Sequence, residues 1–326
     1  MYIFKKYEPF IERAQTKTWI PTNNTQLNTP NKDTIFKIDN NDNFLDIRRT
    51  KFYINGRYLQ KYGKEYPKDS KIQLIDNPIP SLFSKVGVKI RGKTISEIEN
   101  VGRVSTVKGV ISYSLDLNGP TINSGFRLTI SSFQLGYGKK MYTINFKTWQ
   151  CIEERNITGK TIKINLSNQN RCENLLEFCG FVFQTNKLNT QDHDPSKFDH
   201  CYLRNYRFEI NGISYPAERQ DEDFKNDKFC QSYEDSMAYK LTYHKNTQEL
   251  PLMYVDPIDF KDNRPIFITK TVYQPNNISA NKKNIILQIE LHEDLPKDTI
   301  CYIFFIRQDE FLFDIEKGTI EEIFSN

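Results

Sequence analysis

Near its C-terminus the chain carries a run that demands cover on both sides. Ile300-Cys301-Tyr302-Ile303-Phe304-Phe305-Ile306 is apolar at every position. A strand with one wet face alternates apolar and polar residues, so an unbroken run of this kind predicts a strand buried on both faces. Its neighbours alternate. Ile285, Leu287, Ile289 and Leu291 are interleaved with Gln288, Glu290 and His292, and Phe311, Phe313 and Ile315 are interleaved with Leu312, Asp314 and Glu316. Three strands in succession, one of them covered twice, require a second layer of structure.

Two hairpins extend the β reading. In Asn77 to Ser96, Val86, Val88 and Ile90 alternate, Arg91-Gly92 turns the chain, and Thr94 and Ile95 return. In Tyr202 to Tyr215, Tyr206, Phe208 and Ile210 alternate, Asn211-Gly212 turns, and Ile213 to Tyr215 returns to Pro216. A two-residue turn needs positive φ at both positions, which is why Asn-Gly between alternating runs is a strong hairpin signal. Arg91, Gly92, Asn211 and Gly212 are therefore read as structural turn residues, and the pair of hairpins as one β unit used twice.

Further strands are expected at Thr34 to Ile38, around Leu45 and Ile47, over Lys51 to Leu59 with a possible turn at Asn55-Gly56, at Phe126 to Ile130, Tyr142 to Phe146, Ile162 to Leu166 and Leu175 to Phe183. Val101, Val104, Val107 and Val110 recur every third residue, a spacing open to a helical turn or an irregular strand. Phe224, Phe229, Tyr233, Met237, Ala238 and Tyr239 predict one short helix within Asp221 to Tyr243, and 245–263 and 275–283 read as loops. Many short strands with polar turns predict an all-β fold of sandwiches. Gly136 to Lys140 reads as a hinge. The division expected is a 1–20 N-terminal arm, a first sandwich over 21–138 and a second over 139–326.

Bulk properties exclude several classes. The net charge of +4 is interspersed and forms no basic stripe, so sequence-specific nucleic-acid binding is not expected. No run approaches the length of a membrane-spanning helix. The six cysteines have irregular spacing, no C-x-x-C is present, and Met1 to Gln15 has no apolar signal core; reduced thiols in an intracellular protein are expected.

Chemistry-bearing residues gather in one place. Asp192-His193-Asp194 precedes Asp199-His200-Cys201, which together hold metal-binding residue types. His193, His200 and Cys201 are the weak metal candidates. The spacing matches no zinc pattern, and a polar loop leading into a strand is the favoured reading. No G-x-S-x-G nucleophile turn and no phosphate-cradling glycine pattern occur, so no catalytic residue and no cofactor are expected. The 23 Phe and 18 Tyr could build a carbohydrate-binding platform or fill sandwich cores, and their phase on alternating strands favours cores.

Pro80 to Ser96 resembles the first-domain hairpin of double jelly-roll major capsid proteins of Maverick/Polinton-type elements and adintoviruses. Asn43 to Thr50 looks like the opening strands of that family, Asn205 to Pro216 is similar to its later hairpin, and Ile285 to Ile315 to its closing strands. The resemblance implies an all-β double jelly roll, two tandem jelly-roll sandwiches with an N-terminal arm and few short helices. It implies a structural viral capsid (hexon) protein without enzymatic activity, forming homotrimeric, pseudo-hexameric capsomers of an icosahedral shell around double-stranded DNA. The partners implied are further copies of the chain and penton or minor capsid proteins. The location implied is the virion, assembled inside the host cell. The alternative is a ligand- or carbohydrate-binding β-sandwich protein.

Overall fold

The computed structural model describes residues 11–19, 21–23, 33–38, 44–51, 59–60, 63–67, 70, 78–112, 128–135, 141–167, 176–187, 193–244, 255–271, 284–314 and 319–323. In chain order its strands are β1 (Ile11–Trp19), β2 (Phe44–Lys51), β3 (Lys85–Ile90), β4 (Lys93–Glu99), β5 (Leu128–Leu135), β6 (Met141–Glu154), β7 (Thr161–Asn165), β8 (Leu176–Thr185), β9 (Leu203–Ile210), β10 (Ile213–Tyr215), β11 (Phe267–Lys270), β12 (Ile285–Leu291), β13 (Thr299–Asp314) and β14 (Thr319–Ile323). The helices are α1 (Val101–Ser112), α2 (Cys230–His244) and α3 (Pro257–Asn263).

The chain divides into two compact units, 1–72 with 121–139, and 73–120 with 140–326. This division differs from the expected one in a specific way. Residues 73–120, assigned from the sequence to the first sandwich, group with the C-terminal unit. In the smaller unit, β5 lies between β1 and β2 in an antiparallel sheet. Residues 11–19, within the expected arm, form a strand paired with β5. Residues 34–38 are irregular where a strand was expected. The Asn23 side chain accepts from Ile35 N at 3.0 Å, and Thr22 N donates to Ile35 O at 2.8 Å, so local bonds satisfy this backbone without a ladder. The expected turn at Asn55-Gly56 and the hinge at Gly136 to Lys140 lie outside the described residues.

Among its described residues the larger unit holds eleven strands: β3 and β4 form a hairpin, β14 pairs with the end of β13, and the other eight lie in two facing sheets. One runs β6-β13-β8-β11 and the other β7-β12-β9-β10, with every pairing antiparallel. From β6 to β9 the chain alternates between the sheets. It remains in the second for β10, then alternates again through β11, β12 and β13. Eight strands in this order make a jelly roll. The sheets face one another through aromatic contacts: Phe181 on β8 meets Tyr206 on β9 edge-on at 5.2 Å, and Phe208 on β9 meets Phe305 on β13 at 6.3 Å. Tyr206 also donates from its hydroxyl to Ile268 O on β11 at 3.1 Å, which satisfies its polar end inside the core.

The first sheet is covered on its other face by helices. Tyr239 of α2 packs edge-on against Phe178 at 4.7 Å and Trp149 at 6.1 Å, and Arg103 of α1 lies 5.3 Å over the Tyr302 ring. Residues Cys301 through Ile306 are each no more than 2% exposed. The valine repeat is the helix α1, with Val104, Val107, Val110 and Ile111 buried, and the aromatic repeat is α2 preceded by a 3-10 turn at Phe224–Asn226. Within the stretch read as a loop, Asp256 caps α3 by accepting from Ile258 N and Asp259 N, with Pro257 in the first turn.

The two closing strands expected over 300–306 and 311–315 are one strand, β13. On one edge it pairs with β6 from Cys301 to Asp314. On the other it pairs first with β8 over Thr299–Arg307, then with β14 over Glu310–Asp314. The continuous partner keeps the backbone extended through Arg307 to Glu310, where the apolar pattern breaks.

Gly180 sits where β8 crosses this doubly covered sheet. A Cβ there would lie 2.6 Å from Phe267 O and 2.7 Å from the Phe304 ring. Backbone and a fully packed ring cannot yield cheaply, so Gly180→Ala should destabilise the unit by about 1–3 kcal/mol, measured as a lowered chemical-denaturation midpoint.

Candidate functional site

The metal candidates do not converge on one point. His193 is exposed, and the loop behind it closes on itself, with Asp194 accepting from Ser196 N at 2.9 Å. Asp199 accepts from Thr185 N at 2.8 Å and from the Lys187 ammonium at 2.8 Å. His200 lies stacked on Phe224, with centroids 4.8 Å apart and planes 10° apart, and its Nδ1 accepts from Tyr202 N at 3.0 Å. That bond assigns the neutral ring's proton to Nε2. Burial, aided by the Lys261 charge, holds His200 below the ordinary imidazole value of 6.5. Cys201 is buried, and burial and then Asp199 push its thiol up to about 12. A zinc ligand must be a thiolate, which this environment opposes. Among the described residues no group of three or more His, Cys, Asp or Glu side chains is placed to hold a metal ion.

The turn residues have backbone roles. Arg91 and Gly92 stand at φ of 50° and 83°, and Asn211 and Gly212 at 49° and 84°. Asn211 accepts through its side chain from Asn284 N and donates from its backbone N to Asn284 O, both at 2.8 Å. The β9–β10 turn is thereby tied to the start of β12, which sets strand register.

A cleft of about 430 Å³ with a mixed lining lies between β4 and β6, bordered by Ile95, Glu97, Thr148, Gln150, Ile152 and Arg307 among others. Its charges are matched within the chain. Arg307 Nε lies 2.8 Å from Asp309, itself 1% exposed, and Lys85 lies 2.7 Å from Glu97. Cys151 also borders the cleft, but burial pushes its thiol up to about 12, so it is no ready nucleophile. A second polar cluster anchors α2. Buried Glu222 accepts from Ser232 N at 2.7 Å and Ser232 Oγ at 2.6 Å, and its backbone O bonds His292 Nε2 at 2.8 Å. Burial raises the Glu222 carboxyl against these bonds. This cluster docks a helix.

The aromatic residues are spent on the core. Among the described residues, Trp149, Tyr206, Tyr239, Tyr302 and eight Phe are the largest fully buried side chains. Among the large exposed apolar residues described, Tyr202 is the one aromatic, and it packs against His200. No aromatic platform is seen among the described residues, and no described helix is long and apolar enough to cross a membrane. What the surface does offer is strand edges. β3 is exposed along five of its six residues and, among the described residues, pairs only with β4, while β14 ends its sheet.

The pH response of His200 can be isolated. Its neutral form is favoured in the fold, so its contribution to stability is complete above pH 6.5 and is lost as pH falls below that value. His200→Phe preserves the stack on Phe224. The Tm difference between this variant and the wild type should be flat above about pH 6.5 and should shift in favour of the variant at lower pH.

Comparison with known proteins places this architecture. No curated protein matches the sequence. Among solved structures, the chain is similar to a capsid structure of PBCV-1 virus, with a TM-score of 0.54 and 7% identity, covering 96% of this chain and 97% of that one. The Sputnik virophage structure aligns with a TM-score of 0.36 at 8% identity, over 65% of this chain and 47% of that one. The mavirus major capsid protein aligns with a TM-score of 0.33 at 13% identity, over 61% of this chain and 46% of that one. Residues 130–310, more than half of the chain, match the family described as the double jelly roll-like domain. Given the eight-stranded roll those residues contain, the chain belongs to the double jelly roll-like domain family.

Proposed function

We propose that this chain is a structural capsid protein of the Maverick/Polinton and adintovirus type. It forms homotrimeric, pseudo-hexameric capsomers that tile an icosahedral shell around double-stranded DNA. The observation that carries this reading is the likeness to the PBCV-1 virus capsid structure over nearly the whole of both chains. The internal chemistry supports it. Buried thiols are held protonated, ionic groups in the cleft are matched within the chain, and the polar clusters described dock secondary structure. No catalysis is assigned to the chain.

On this reading the second roll lies within 140–326, the first is built on the smaller unit of 1–72 and 121–139, and heterologous contacts around a three-fold axis close the capsomer. Penton or minor capsid proteins fill the remaining positions. Assembly takes place inside the host cell, and the finished protein resides in the virion.

Light scattering on the purified full chain should give a mass three times that of the subunit, and negative-stain images should show three-fold capsomers or closed shells. A monomer at every concentration and salt condition tried would overturn the proposal.

A further inference from the structure

The edges of the larger unit are managed unequally. α2 packs beside β11, β10 is only three residues long and ends at Pro216, and β4 lies along β6. β7 carries Lys163 at its centre, a common device for blunting an edge. Two edges remain, β3 and β14. Neither pairs with a second strand among the described residues. A two-stranded hairpin is marginal in water unless something else supports it. Here Val86 and Val88 on β3 are both exposed, 37% and 39%.

The two edges have opposite charge. β3 and the turn that follows read Lys-Val-Gly-Val-Lys-Ile-Arg-Gly-Lys, with no acidic residue, while β14 reads Thr-Ile-Glu-Glu-Ile. Lys89 and Glu321 are both exposed. Two copies of β3 paired together would oppose lysines, and two copies of β14 would oppose glutamates; like charges directly across a ladder are destabilising. Pairing β3 with β14 avoids both. In the antiparallel register that sets Gly87 opposite Glu321, Val88 faces Ile320. Lys85 and Lys89 then become the diagonal neighbours of Glu321, about 7–8 Å away between Cα atoms.

We infer that β3 of one copy adds to β14 of a second copy by edge-to-edge strand pairing. The contact uses different strands on the two copies, so it is heterologous and propagates into a ring or lattice. Lys85 is already shared with Glu97 inside its own chain, which leaves Lys89 as the main electrostatic partner of Glu321. The inference rests on the self-assembly proposed above and names the surface through which it proceeds.

Charge exchange in the full chain tests it. Lys89→Glu and Glu321→Lys should each raise the concentration needed for assembly at least tenfold by light scattering, with the Tm unchanged because both positions are exposed. The double variant Lys89→Glu/Glu321→Lys should restore assembly. If the single variants assemble like the wild type, or the double variant fails to recover, the pairing is wrong while the capsid proposal stands. A wild-type chain that does not self-associate overturns both.

Discussion

One sheet, buried on both faces, holds the larger unit together. β6-β13-β8-β11 meets the second sheet of the roll on one side and helices α1 and α2 on the other. Within it β13 pairs with β6 from Cys301 to Asp314 and successively with β8 and β14. Removing a buried aromatic from such a position costs about 3–5 kcal/mol, because a cavity is left where the packing cannot collapse. Phe304 and Phe305 point to opposite faces of one strand, so each faces its own layer. Phe304 meets Trp149, and Phe305 meets Phe208. The strand therefore couples the helical layer to the far sheet. Gly180 is part of the same constraint, since the Phe304 ring occupies the space a side chain would need.

Much of this was legible in the sequence where the pattern was periodic and local. The apolar run at Ile300 to Ile306 signalled double cover, and the alternation at Ile285 to Leu291 signalled a half-buried strand. The aromatic spacing from Tyr233 to Tyr239 signalled a helix. What was missed depended on partners distant in sequence. The break at Arg307 to Asp309 looked like the end of a strand. It is a buried ion pair inside one, tolerated because β6 continues alongside. The valine repeat at Val101 to Val110 could not be assigned without knowing which surface it covers. The α3 helix had a readable start in Asp256-Pro257, but its few residues gave no periodicity to reinforce it. The grouping of residues 73–120 with the C-terminal unit has no local signature at all, because it arises from packing of β4 along β6 and of α1 against α2, elements distant in the chain.

The candidate site followed a similar logic. Residue types at 192–201 offered a weak metal candidate beside the favoured polar-loop reading, and Asp199, His200 and Cys201 sit in structural surroundings. Asp199 anchors the loop to β8, His200 stacks on Phe224, and the Cys201 thiol is buried. The edges that distinguish β3 and β14 were not read as functional from sequence, since exposure along a whole strand is visible only once its neighbours are placed. Opposite charge on two such edges is a signal that sequence inspection could have raised and only the sheet order could interpret.

The central claim is that β13, clamped between two layers, locks the larger unit into one rigid body. Native-state amide hydrogen exchange tests it most directly. The expected result is slow, concerted exchange of amides on β8, β12 and β13, with the β3–β4 hairpin exchanging faster. Exchange of residues 299–307 as fast as that of 85–90 would contradict the claim.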